Sequence, residues 1–173
     1  MENWQTDNLS AFEAMYRQYE RLVYRNAYLI TGTKEEAEDV LQEVFLSVWK
    51  SRHTFDPAKS KLSTWLHRIT VNECFRKKRK QDPAQVSIED IDIPSPQDSQ
   101  EDSVITKEEY AELMKAMNDL DHKHRAVLVL RYFNELSYDE IAQAMDIPLG
   151  TVKSRIFQAL GTLKTKLQVE AST

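Results

Sequence analysis

Phe12, Met15, Tyr16, Tyr19, Val23, Ala27 and Ile30 recur every three or four residues, the spacing that gathers an apolar stripe on one side of an α-helix. Gly32 ends the pattern, as a left-handed residue at a helix C-terminus would. Thr33 followed by Glu36 reads as a capping box opening a second helix, whose apolar side is Ala37, Val40, Leu41, Val44 and Leu46 or Val48, and whose other side is acidic. Phe55-Asp56-Pro57 breaks the periodicity, Ser63 offers a cap, and Trp65, Leu66, Ile69 and Phe75 define a third helix that runs into a basic cluster. After residue 105, Tyr110, Leu113, Met114 and Met117 mark a helix, and Ala126, Val127 and Leu130 mark another behind the cap Asp121. Ser137-Tyr138-Asp139-Glu140 is a second capping box, with Ile141, Ala142 and Met145 as the apolar positions behind it. Asp146-Ile147-Pro148-Leu149-Gly150 is expected to turn the chain into a long last helix opening at Thr151.

The chain of 173 residues is therefore expected to be all-α, two small helical domains, with only three glycines and five prolines to interrupt the helices. Residues 1–81 make the first domain and 106–173 the second. Between them, residues 82–105 hold Pro83, Pro94, Pro96, four serines and seven acids, too little apolar side chain to offset the entropy of ordering, so this stretch is expected to be a flexible acidic linker. No apolar run approaches the roughly 18–20 residues of a membrane span, and Met1-Glu2-Asn3-Trp4 does not read as a signal peptide, which places the chain in the cytoplasm. The lone Cys74 forms no internal disulfide or cysteine cluster and is expected to be a buried thiol.

A net charge of −5 argues against nucleic acid only if charge is spread evenly, and it is not. Arg76-Lys77-Lys78-Arg79-Lys80 is wholly basic, and residues 147–169 carry Lys153, Arg155, Lys164 and Lys166 without an acid. Two helices joined by a short turn, the second one basic, form the pattern of a helix-turn-helix. At 100° per residue Val152, Ile156, Ala159, Leu160, Leu163 and Leu167 share one side of the last helix, so Ser154, Phe157, Gln158 and Gly161 are expected to face away from it. An incidental surface aromatic on a helical hairpin is the plain alternative. Trp65, Ile69, Asn72 and Arg76 also lie near one side of their helix, a surface able to stack on bases, bond their edges and hold phosphate. Trp65 fits a core position as well, and a basic helix end also offsets the helix dipole without any ligand. The acidic stretch Glu35, Glu36, Glu38, Asp39 and Glu43 reads either as a solvated face or as a docking surface for a basic protein.

Two segments carry a family resemblance. Ala37-Glu38-Asp39-Val40-Leu41-Gln42-Glu43-Val44-Phe45-Leu46 and Leu62-Ser63-Thr64-Trp65-Leu66-His67-Arg68-Ile69-Thr70-Val71-Asn72 resemble conserved region 2 of extracytoplasmic-function (group 4) sigma factors of bacterial RNA polymerase. Leu136-Ser137-Tyr138-Asp139-Glu140-Ile141-Ala142 and Pro148-Leu149-Gly150-Thr151-Val152-Lys153-Ser154-Arg155-Ile156 resemble their region 4, in the right order around an acidic linker.

The resemblance implies a subunit that directs RNA polymerase to promoters, with no cofactor and no catalytic residue of its own. It places Asp39, Gln42 and Glu43 on the clamp helices of the largest polymerase subunit, and the second domain on the flap of the second-largest. It places Trp65, Arg68, Asn72, Arg76 and Lys77 at the −10 element, Asn72 beside a flipped base. Lys153, Ser154, Phe157 and Gln158 would face the −35 element, with Arg155 on phosphate. Gln158 departs from the arginine frequent in this family. The resemblance further implies an anti-sigma partner and a role in a stress or envelope response.

Two other classes compete. An ordinary helix-turn-helix regulator would leave the Asp39, Gln42, Glu43 face and the basic Asn72 helix without a purpose. An enzyme would need a site, yet the imidazoles are His53, His67, His122 and His124, and the last two, two apart on a helix, diverge; no nucleophile elbow or phosphate-binding glycine loop appears.

Overall fold

The computed structural model describes residues 3–81 and 106–171, and every regular element among them is helical. The linker expected at 82–105 lies outside the described residues. The chain divides into two compact units, the first holding α1 (Leu9–Thr31), α2 (Lys34–Ser51) and α3 (Leu62–Gln81). The second is built on α4 (Lys107–Asn118), α5 (His122–Leu128), most of α6 (Tyr138–Met145) and α7 (Leu149–Ala171). The all-α reading holds.

In the first unit the three helices pack mutually around Val23, Ala27 and Ile30 of α1, Val40, Val44 and Val48 of α2, and Leu66, Val71 and Cys74 of α3. Each large apolar side chain so buried contributes about 1.5–3 kcal/mol over its exposed state. The expected cap at Thr33 is present, its hydroxyl accepting from Glu36 N at 3.3 Å, while Gly32 closes α1 at φ 95°, donating to Tyr28 O. The third helix starts at Leu62 rather than behind Ser63: Trp65 N already bonds Lys61 O, so Ser63 falls inside the first turn. Trp4 is buried and packs on Phe55 and Trp65, and the Gln5 amide donates to the carbonyls of Arg52 and Phe55. A buried hydrogen bond, Asn26 to His67 at 3.0 Å, ties α1 to α3.

In the second unit Thr106 and Glu109 form a capping box at the start of α4, and Ser137 and Glu140 form the expected one at α6. Asp121 caps α5, accepting from Lys123 N and His124 N. Beyond α5 the chain loosens into a π-helical segment, Val129–Phe133. Three residues, Asp146 to Pro148, separate α6 from α7. Asp146 takes the left-handed conformation (φ 54°) and Ile147 N bonds Ala142 O, a Schellman closure with aspartate in the usual glycine position. The turn is shorter than expected, because α7 begins at Leu149 with Val152 N bonded to Pro148 O, so Gly150 lies in the helix. Ile141, Ala144, Val152, Ile156 and Ala159 are buried in the core of this unit.

Candidate functional site

On α2, Asp39, Gln42 and Glu43 are all exposed, and they follow the i, i+3, i+4 spacing of one helical row. Leu46 extends that row by one turn and is 51% exposed, although sequence periodicity assigned it to the core. Only Val48 of the two alternatives is buried there. The signal for Leu46 was available in its seven-residue spacing from Asp39.

The basic end of α3 lies against this same helix. Lys77 Nζ donates to Asp39 Oδ2 at 2.7 Å, and Lys78 bonds both carboxylate oxygens of Glu36 at 3.2 and 3.3 Å. Arg76 grips Glu73, whose other oxygen accepts from Ser47, and lies 3.9 Å from Glu43. Asp39, Gln42, Glu43, Glu73, Arg76, Lys77 and Lys80 thus line one shallow groove between α2 and α3. The residues expected to meet polymerase and some of those expected to meet DNA are neighbours. Their ionisation follows: the hydrogen bond to Glu73 raises the Arg76 pKa, and the one to Asp39 raises that of Lys77. For Glu36, burial pushes the carboxyl up but bonds from Gln81 and Lys78 outweigh it, and the net shift is down.

Farther back on α3, Arg68 and Asn72 are exposed. Trp65 is not an open stacking platform: half-buried, its ring packs against Phe55 at 5.3 Å and Trp4 at 6.0 Å between centroids, an aromatic cluster that leaves part of one ring available. Sequence reading could not find this cluster, since Trp4 arrives from the far end of the chain.

On α7, Lys153 and Phe157 are exposed, and Arg155 and Gln158 half-buried. Ser154 corrects the expectation that it faces outward: it is fully buried, and its short hydroxyl folds back to donate to Thr151 O at 3.1 Å. Leu160 is corrected in the opposite sense. It is 40% exposed because Val152, Ile156, Ala159 and Leu163 fill the centre of the buried arc and Leu160 sits at its edge. Gln158 is engaged as well: its Oε1 lies 3.0 Å from His124 Nε2, and His124 Nδ1 lies 2.8 Å from Asp121 Oδ2. Burial alone would push the Asp121 carboxyl up. Bonds from the His124 ring and from the backbone N–H groups of His124 and Lys123, with the charge of His124, outweigh burial and hold it well below the usual carboxylate range.

No helix among the described residues is long and apolar enough to cross a membrane. The arrangement offers two kinds of surface, an acidic and polar groove with an apolar edge, and helices presenting amide, guanidinium, ammonium and aromatic groups. Such groups bind proteins and nucleic acids.

Comparison with known proteins agrees. The family description Sigma-70 region 2 matches residues 15–83, and Sigma-70, region 4 matches residues 110–163. The ECF RNA polymerase sigma factor SigW of Bacillus subtilis is 33% identical over 91% of this chain and 89% of its own length. The RNA polymerase sigma-H factor of Pseudomonas aeruginosa is 30% identical over 97% and 92%. Among solved structures, the sigma factor RpoE of Bartonella quintana, crystallised with the anti-sigma factor NepR, superposes with a TM-score of 0.67 at 26% identity, covering 93% of this chain and 99% of that one. With one sigma-70 region matched in each unit and such relatives along nearly its full length, the chain belongs to the ECF RNA polymerase sigma factors, which are transcription initiation factors.

Proposed function

We propose that residues 1–81 dock on core RNA polymerase and capture the −10 element, and that residues 106–173 read the −35 element. The observation that carries this reading is the exposed row Asp39, Gln42, Glu43 and Leu46 on α2, next to a helix that exposes Arg68 and Asn72. An acidic row with one apolar residue suits the basic, amphipathic surface of the clamp helices. Asn72 has the amide to bond the edge of one unstacked base, while Arg68, Arg76 and Lys77 supply positive charge for the strand. The exposed part of Trp65 borders that surface. Lys77 and Arg76 reach the strand already held by Asp39, Glu73 and Glu43, so phosphate competes with these carboxylates for them.

In the second domain Lys153 and Phe157 face the major groove, Arg155 reaches backbone, and Gln158 contributes one end of its amide. Ser154 supports the helix through its own turn. The flap of the second-largest subunit is the surface that carries this domain. Because the Bartonella quintana relative is solved with an anti-sigma factor, an anti-sigma protein that covers these faces is the regulator we assign, under a stress or envelope signal.

The test is transcription from genomic DNA by core polymerase with and without the protein. The reading requires new start sites that share upstream −35 and −10 elements. Specific DNA binding without core polymerase, together with no co-purification with it, would favour an ordinary helix-turn-helix regulator instead.

A further inference from the structure

His124 and Gln158 are 34 positions apart in sequence, on α5 and α7, and their side chains meet at 3.0 Å. The imidazole is fixed from behind. Asp121, the N-cap of α5, offers Oδ2 to His124 Nδ1 at 2.8 Å while its Oδ1 accepts from the backbone N–H groups of Lys123 and His124. A carboxylate has acceptors only, so Nδ1 carries a hydrogen. At the other side of the ring Nε2 faces Gln158 Oε1, also an acceptor, so the ring donates there too.

This matters because an amide reads bases by its two ends. Recognition of adenine by glutamine uses both at once, the carbonyl accepting from N6 and the NH2 donating to N7. A Gln158 whose carbonyl already accepts from His124 keeps only the NH2 for DNA. That group suits acceptors such as guanine O6 and N7 or thymine O4, and it cannot complete the adenine pair.

We propose that His124, steadied by Asp121, is a positioning residue that sets which end of the Gln158 amide meets the −35 duplex and thereby disfavours adenine at that base pair. The inference rests on the reading of α7 as the −35 recognition helix. It changes the expectation for Gln158 itself, from a two-handed contact to a one-handed one, and gives a promoter-specificity role to a residue outside α7.

The test uses holoenzyme assembled from core polymerase and the full chain, on a promoter panel in which each −35 base pair is varied in turn. Four proteins are compared: wild type, His124→Ala, Gln158→Ala and the double variant. His124→Gln is the fifth, since it keeps a side-chain donor at that position.

Removal of His124 releases the carbonyl, so His124→Ala should shift preference at one base pair toward adenine by roughly tenfold, the low end of what one base-edge contact is worth. In the Gln158→Ala background the same substitution should shift nothing, and His124→Gln should retain the wild-type preference. The readout is a ratio between promoters on one preparation, so partial unfolding cancels, whereas a structural role would lower all promoters alike. An equal shift in both backgrounds, a shift away from adenine, or no shift while Gln158→Ala does alter preference overturns the role of His124. If Gln158→Ala itself changes no preference, the recognition-helix reading has failed and this inference falls with it.

Discussion

Lys77 on α3 donates to Asp39 on α2 at 2.7 Å, and this single ion pair joins the two surfaces that sequence alone treats as separate, an acidic face for protein and a basic one for DNA. An exposed pair of this kind is worth only about 0–1 kcal/mol, because water screens it and two side chains lose freedom to form it. Its main effect is to place the Lys77 charge beside the acidic row rather than to hold the fold.

That weak coupling makes docking and folding separable. Asp39→Arg combined with Glu43→Arg should abolish binding to core polymerase while circular dichroism stays helical, since both side chains lie off the apolar stripe of α2. The exchange Asp39→Lys with Lys77→Asp is the sharper experiment. It rebuilds an ion pair between the helices, so the melting temperature should stay near wild type, yet the docking row now carries a cation. Restored polymerase affinity in the exchanged protein would mean that Asp39 serves only its partner Lys77.

Asn72 is exposed on the strand-facing side proposed for α3. Asn72→Ala should weaken recognition of a single-stranded −10 oligonucleotide at one base position by about 1–3 kcal/mol, the worth of a lost amide contact. Polymerase binding should be unchanged. A loss spread evenly over all positions would assign Asn72 a supporting part instead.

What could be read from sequence was local. Caps at Thr33, Asp121 and Ser137 depend on residues two or three positions apart, so their signatures survive without a fold, and the helices they open were legible. Residues 39, 42 and 43 were legible as a face because one helix suffices to align them. The failures each need a second element. Leu46 and Leu160 fit an apolar period, yet no neighbouring helix covers either one fully. Ser154 looked outward by angle, but its hydroxyl has a closer partner in Thr151. Trp4 joining Trp65, Asn26 joining His67 and His124 joining Gln158 span 61, 41 and 34 positions, distances at which a single sequence carries no pairing signal.

Asp121 gives the second unit an acid-sensitive cap. Its pKa is lowered in the folded state, so the stabilisation is complete above the unfolded value, about 3.9, and is lost as pH falls through the folded one. The Asp121→Asn variant keeps a side-chain oxygen that can still cap α5, but it does not titrate. Wild type should therefore be the more stable protein at pH 6, and the gap between the two should close toward pH 2. Denaturation followed by NMR signals of α7 methyl groups at several pH values measures it. A gap that is constant with pH would show that the carboxylate charge contributes nothing.

The last prediction concerns how α7 divides its labour. Lys153 and Phe157 are exposed four residues apart and lie on one side of the helix, with Leu160 beside them, whereas Arg155 is half-buried on another side. A phenyl ring packs on a thymine methyl but forms no hydrogen bond, so Phe157→Ala should lower affinity only for promoters that present thymine there, with the salt dependence unaltered. A guanidinium on backbone has no base to prefer. Arg155→Ala should weaken holoenzyme binding to every −35 variant alike and reduce the salt slope by roughly one phosphate contact. The two defects therefore separate on two axes, base preference and ionic strength, measured on the same promoter panel. If Phe157→Ala changes neither affinity nor preference, the exposed ring and Leu160 form an apolar edge for a protein partner, and the anti-sigma factor becomes the first candidate to test against it.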